Sequence, residues 1–272
     1  MAQTIAVLSQ KGGTGKTTAV RTLTDAFRRR GLRTLAVDLD PQGNLSDYFD
    51  LPPDVAPTIA EVLAGSAATG EAVFKDILPA NLRLAETELM LGGKIGRELA
   101  LRRALAEIRD DYELVLIDCP PSLGLLTVNA LVAADRALIT AEAQYFALQG
   151  VEQAMEVVEL ARDSLNPVLS LLGVLLNLAD MRTVHSREAL ASLQERFGEG
   201  VFDTVVRASI AYAESAERAT SILDYRPDLG ADYLALAEEM LERLAPLADA
   251  GTHLAAVGRS GELPSQRTAG QG

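Results

Sequence analysis

Over most of this 272-residue chain, short apolar runs alternate with segments whose apolar residues recur every three or four positions. That alternation predicts βαβ units and an α/β fold: a mainly parallel, twisted sheet flanked by helices on both faces. Strands are expected near 4–9, 33–38, 82–86, 113–117, 136–141, 170–176 and 202–206, and the clearest helices over 16–30, 97–109, 124–133, 147–164, 186–197 and 229–247. Within 16–30, Ala19, Val20, Leu23, Ala26 and Phe27 form an apolar stripe that stops at Gly31, a common helix end. A break follows at Leu51-Pro52-Pro53-Asp54, after which Thr58 is set to cap a short helix ending before Gly65, an insertion over the sheet. One domain over 1–248 accounts for the pattern. The remaining 249–272 carry Gly, Ser, Pro, Gln and Thr without apolar periodicity and read as a disordered tail.

The first strand runs directly into Gln10-Lys11-Gly12-Gly13-Thr14-Gly15-Lys16-Thr17-Thr18. Glycines there let backbone N–H groups curl around a polyphosphate that side chains would keep at a distance. Lys16 is placed to reach the β- and γ-phosphates, and Thr17 to ligate a Mg²⁺ held by the same phosphates. The helix starting at that point aims its positive end at them. Gly12, Gly13, Thr14, Gly15, Lys16, Thr17 and Thr18 are therefore the expected nucleotide contacts. The chain departs from the general P-loop pattern in one respect: Gln10 stands where a glycine is usual, with a lysine beside it.

Composition narrows the class. No apolar stretch is long enough for a membrane-spanning helix, and the first residues lack a basic leader, so a cytoplasmic setting is expected. A lone cysteine, Cys119, cannot form an internal disulfide, and two histidines are too few for a metal cluster. The net charge of −13 argues against a generally basic nucleic-acid binder, so any hold on phosphates must come from local clusters of arginine.

Two further apolar runs end in acids. Val37-Asp38-Leu39-Asp40-Pro41-Gln42-Gly43-Asn44 puts two carboxylates at the carboxyl end of the second strand, and Leu114-Val115-Leu116-Ile117-Asp118 has the shape of a Walker B strand, its aspartate near the Mg²⁺ shell. Asp38, Asp118 and Thr17 are the expected metal-site residues, Asp38 acting through water.

Lys11 through Thr18 resemble the deviant Walker A loop of the ParA/MinD family of P-loop ATPases. So do the Asp-Leu-Asp-Pro-Gln-Gly-Asn and Asp-Cys-Pro-Pro-Ser segments, and Tyr145-Phe146-Ala147-Leu148-Gln149-Gly150 is similar to a stretch of chromosomal and plasmid ParA proteins. The resemblance covers 1 to about 248. It implies ATP and Mg²⁺ as cofactors and an ATP-bound sandwich homodimer in which Lys11 reaches the partner's nucleotide. It also implies that Lys16 is the ordinary phosphate lysine, and that Asp40 positions or activates the attacking water. Asn177 matches a position where relatives contact adenine, although an amide there can equally serve a strand end. Arg207 is assigned to the nucleotide by the same resemblance. Relatives hold nonspecific DNA of the nucleoid through the C-terminal third, where Arg182, Arg187, Arg196 and Arg218 are candidates, and a ParB-like partner triggers their hydrolysis. Two usual basic positions are here Ala211 and Thr220, which makes Arg218 the substitute.

Other members place different cargo or act at a membrane, as MinD does. That requires a basic amphipathic C-terminal helix. Here Leu234, Leu236, Met240, Leu241 and Leu244 share their helix with Glu238, Glu239 and Glu242, so no membrane partner is expected. A nitrogenase-type reductase would need paired cluster-binding cysteines.

Overall fold

The computed structural model describes residues 2–144 and 146–245. Six strands, β1 (Gln3–Leu8), β2 (Thr34–Asp38), β3 (Ile77–Leu78), β4 (Leu114–Asp118), β5 (Arg136–Glu142) and β6 (Ser170–Asn177), pair in parallel in the order β3-β2-β4-β1-β5-β6. The helices are α1 (Lys16–Arg29), α2 (Asn44–Tyr48), α3 (Ile59–Ala64), α4 (Arg83–Leu91), α5 (Ala100–Ala106), α6 (Leu125–Ala133), α7 (Ala147–Ser164), α8 (Val184–Phe197), α9 (Ala211–Glu217), α10 (Ile222–Tyr225) and α11 (Pro227–Leu244).

Both sheet faces are covered, which is why the strands read as unbroken apolar runs. Along β1, Ile5 and Val7 join the core under α1, α10 and α11, while Ala6 and Leu8 join the core under α5, α6 and α7. The stripe foreseen on α1 is buried throughout. Thr58 and Glu61 close a capping box: the Thr58 hydroxyl accepts from the Ala60 amide at 3.3 Å, and the Glu61 carboxylate accepts from the Thr58 amide at 2.9 Å. Thr58→Ala is expected to lower stability by about 0.5–2 kcal/mol. Thermal denaturation checks this, and an unchanged midpoint would mean the cap is redundant.

Two expected strands are absent. Residues 82–86 belong to α4 and the preceding turn, because Leu84, Thr87 and Leu91 are the buried positions and follow helical spacing, while Leu82 points to solvent. The true edge strand is the two-residue β3, too short to show a period. Residues 202–206 touch β6 only through the flanking bridges Val174 with Val201 and Ala179 with Arg207. Between them, the amides of Asp203 and Thr204 donate to the Glu239 carboxylate of α11 at 2.9 and 3.0 Å, which replaces a strand ladder with a side-chain clamp.

Two helices need adjusted bounds. The one expected over 97–109 divides into short 3₁₀ turns on either side of α5. The last begins at Pro227, where a missing N–H costs nothing, and its expected end at 247 lies outside the described residues, as does the proposed tail.

Candidate functional site

The strand order reverses around β1, so the carboxyl ends of β1, β2, β4 and β5 meet at one crevice. The register sets Val7 and Asp38 level with Asp118. From the end of β1 the chain turns through residues 9–15 into α1, with Gly13 and Gly15 at φ 80° and 79°, where a β-carbon would be strained. A β-carbon on Gly15 would also stand 2.4 Å from Asn177 Nδ2.

Three strands hold this loop. Asn177, at the end of β6, donates from Nδ2 to the Thr14 carbonyl at 2.8 Å, and its Oδ1 accepts from the Leu178 amide at 3.0 Å. Thr14 Oγ1 donates to Ser9 Oγ at 2.9 Å and shares a 2.9 Å hydrogen bond with Thr140 Oγ1 of β5. Lys16 Nζ donates to Ser9 Oγ at 2.9 Å. Burial lowers the Lys16 pKa, and the nearby Asp118 and Asp40 oppose that shift. No side chain caps the N-terminus of α1, which leaves its first amides free to face an anion. Thr17 and Thr18 lie in that first turn, while Lys11, Gly12 and Gly13 form the exposed lip.

The carboxylates occupy two layers. Asp38 is fully buried; its Oδ2 accepts from the Ser46 amide at 2.9 Å and the Ser46 hydroxyl at 2.8 Å, and its Oδ1 accepts from the Asp40 amide at 3.2 Å. Burial pushes the Asp38 pKa up to about 6 against those donors. Asp118 is just as buried, and neither of its oxygens has a hydrogen-bond partner. Its pKa is driven well up by burial and by the facing Asp38, with Thr17 near enough to temper the rise but without a hydrogen bond of ordinary geometry. Among the described residues, no three His, Cys, Asp or Glu side chains are set to hold a metal by themselves. An orphaned aspartate beside a helix-start threonine fits Mg²⁺ instead, because that ion is usually bound by one or two carboxylates together with phosphate oxygens and water. Asp38, tied to Ser46, stands behind.

A raised carboxyl pKa means that the folded state holds the proton more tightly than the unfolded state. The stability this confers is present at low pH and is lost as pH rises through about 6. The nucleotide-free protein is therefore expected to lose on the order of 3 kcal/mol between about pH 4 and 7, and Mg²⁺ with nucleotide should reduce the loss. Urea titrations across that range test it. Stability that stayed flat without ligand would contradict the strain assigned to Asp38.

Asp40 is nearly buried, and its Oδ1 accepts from the Gln42 amide at 3.0 Å, fixing the turn after β2. The candidate arginines are not gathered together. Arg182 is bidentate to Asp180, Arg187 donates to the carbonyls of Met181 and Arg182, and Arg196 pairs with Glu152. These three lie on or beside α8, which packs into the α7 side of the core. Arg218 follows α9 on the other side of the sheet, its guanidinium over the Tyr225 ring at 5.2 Å. Arg207 closes its fork on Asp232 at 2.8 and 3.0 Å and also donates to the Asp228 carbonyl. The sequence reading passed over Ser9, Thr140 and Ser46. Ser9 could have been suspected from its place between strand and loop, whereas Thr140 and Ser46 carry no local signal.

A phosphate-ready loop at a helix start, with a buried aspartate at the end of the adjacent parallel strand, defines a P-loop nucleoside-triphosphatase. A family model described as an AAA domain matches residues 2–171. The chain is 37% identical over 250 residues to the chromosome partitioning protein ParA of Caulobacter vibrioides, covering 88% of this chain and 94% of that one. Among solved structures, it resembles cobyrinic acid a,c-diamide synthase of Mycobacterium smegmatis with bound ADP and magnesium (35% identity, TM-score 0.79, 90% of this chain and 96% of that one). It also resembles the cell division ATPase MinD of Pyrococcus furiosus (26%, 0.74, 90% and 100%). The chain belongs to the ParA/MinD family of P-loop ATPases.

Proposed function

We propose that this protein is a partition ATPase of ParA type, which binds Mg²⁺ and ATP, pairs into a sandwich dimer, and in that form holds DNA without sequence preference until a ParB-like partner prompts hydrolysis. The observation that carries the reading is the divergence of two lysines six residues apart in one loop motif. Lys16 is buried and tied to its own loop through Ser9, whereas Lys11 stands exposed on the lip. A lysine beside a triphosphate that takes no part in its own cradle is available to a second nucleotide facing it.

Mg²⁺ bound by Thr17 and Asp118 would neutralise phosphate charge. Lys16 and the α1 amides orient the triphosphate, and Asp40 at the adjacent turn positions or activates water for attack. Asn177 and Arg207 lie toward β6, where the base is expected. Arg207 would have to leave Asp232 to take part.

For DNA, two or three arginines per protomer would neutralise about 4–6 phosphates in the dimer, so affinity should fall roughly 10²–10³-fold between about 50 and 200 mM salt. Arg218→Glu is expected to weaken binding and reduce the salt slope by about one or more, with ATP turnover in the absence of DNA retained. Fluorescence anisotropy with a labelled duplex and a nonhydrolysable ATP analogue reads both. Binding without nucleotide, or binding indifferent to salt, would sink the proposal.

Two observations weigh against other readings. The apolar face of α11 (Leu229, Tyr233, Leu236, Ala237, Met240) is buried on the sheet and is not offered to a lipid surface, and no helix among the described residues is long and apolar enough to cross a membrane. An amide synthase drawing ammonia from glutamine uses a cysteine nucleophile, but Cys119 is buried and its thiol pKa is pushed up by burial and Asp118.

A further inference from the structure

Lys11 does not wave freely in solvent. Its ammonium stands over the ring of Phe146, 5.1 Å from the centroid, and Phe146, in the turn just before α7, is 55% exposed. The two side chains line one small cavity of about 30 Å³ with Ser9, Thr14, Thr140 and Gln144, at the carboxyl ends of β1 and β5.

The sheet order gives this contact a direction. Asp118 ends β4 and Asp38 ends β2, both on one side of β1, while the chain reaching Phe146 leaves β5 on the other side. The anion-binding loop and its carboxylates would draw a nearby ammonium inward, beside Lys16. An aromatic face on the β5 side offers a competing electrostatic seat, since the negative face of the ring attracts a cation. Lysine has four rotatable bonds and carries about 2 kcal/mol of rotamer entropy, so a seat of this kind also narrows where its head is found.

We propose that Phe146 is a positioning residue for Lys11: its ring holds the ammonium at the outer rim, off the protein's own triphosphate and presented to the nucleotide of a second copy of this chain. The inference rests on the trans role of Lys11 proposed above. It assigns Phe146 a part beyond packing at a helix start, and it predicts effects of opposite sign on two equilibria. With the ring removed, Lys11 can fold back onto its own ATP, so the monomer binds ATP no more weakly than the parent, while the dimer loses an aligned contact.

The test compares Phe146→Leu, which keeps apolar bulk, with Phe146→Tyr, which keeps the ring, in the full chain. Monomer affinity for a nonhydrolysable ATP analogue with Mg²⁺ is measured by titration at low protein concentration, and dimerisation by sedimentation at saturating analogue. Phe146→Leu is expected to weaken the dimer about two- to fivefold, the range of an exposed cation–π contact, with analogue binding equal or tighter. Phe146→Tyr should restore parental dimerisation. In a Lys11→Ala background, Phe146→Leu should leave monomer affinity unchanged. An unaltered dimer in Phe146→Leu, parallel weakening of both equilibria, or the same shift without Lys11 would each overturn the assignment. Dimerisation that persists in Lys11→Ala alone would instead overturn the trans role itself, and this inference with it.

Discussion

Lys11→Ala is expected to abolish ATP-dependent dimerisation while leaving the monomer able to bind nucleotide. The second half follows from the loop's construction: Lys16, Thr14 and Asn177 hold the cradle through side chains that do not involve the Lys11 side chain. The first half follows from symmetry, since a two-fold sandwich carries the contact twice. Truncating one partner of a desolvated charge pair costs about 2–5 kcal/mol, so even the low end taken twice weakens the dimer about a thousandfold. Sedimentation with a nonhydrolysable analogue and Mg²⁺ measures it. DNA binding, if it belongs to the dimer, should vanish in parallel. A Lys11→Ala protein that still pairs would move this lysine from the interface to the surface.

The second large effect is on chemistry. Asp40→Ala should keep nucleotide binding and dimerisation but lower turnover by about 10²–10⁴, the range contributed by a positioned acid–base group. Asp40 also fixes the turn after β2 by accepting from the Gln42 amide, so the alanine variant confounds chemistry with turn geometry. Asp40→Asn separates them, because an amide oxygen can accept the same hydrogen bond but cannot take a proton. Steady-state phosphate release from both variants decides. If Asp40→Asn turned over ATP at the parental rate, the role would pass to backbone positioning alone.

Much of this architecture could be read from spacing. The β1, loop and α1 unit was legible because three signals coincide: a fully apolar strand, glycines at the turn, and an apolar stripe on the helix. The run 82–86 misled because Leu-Arg-Leu-Ala-Glu alternates over its first residues, and only the buried positions of the longer segment reveal helical spacing. The segment 202–206 misled for another reason: Phe202 and Val206 are buried as strand residues would be, but Glu239 takes the intervening amides from 35 residues away. The site divides in the same way. Loop and carboxylates were legible because each ends an apolar run. The Ser46 clamp and the Thr140 contact, 126 residues from Thr14, arise from tertiary packing, which local periodicity does not encode. The arginines showed the limit most clearly, because residue type and region did not reveal that α8 and α9 sit on different sides of the sheet.

The hydroxyl relay among Ser9, Thr14 and Thr140 has a kinetic consequence. Lys16 rests on Ser9 before any ligand arrives, so phosphate entry exchanges one oxygen partner for another around a loop already shaped by folding. Association of ATP with the monomer should then proceed at the pace of encounter, with a single phase linear in nucleotide concentration, and any slow step in the cycle should fall on the meeting of two protomers.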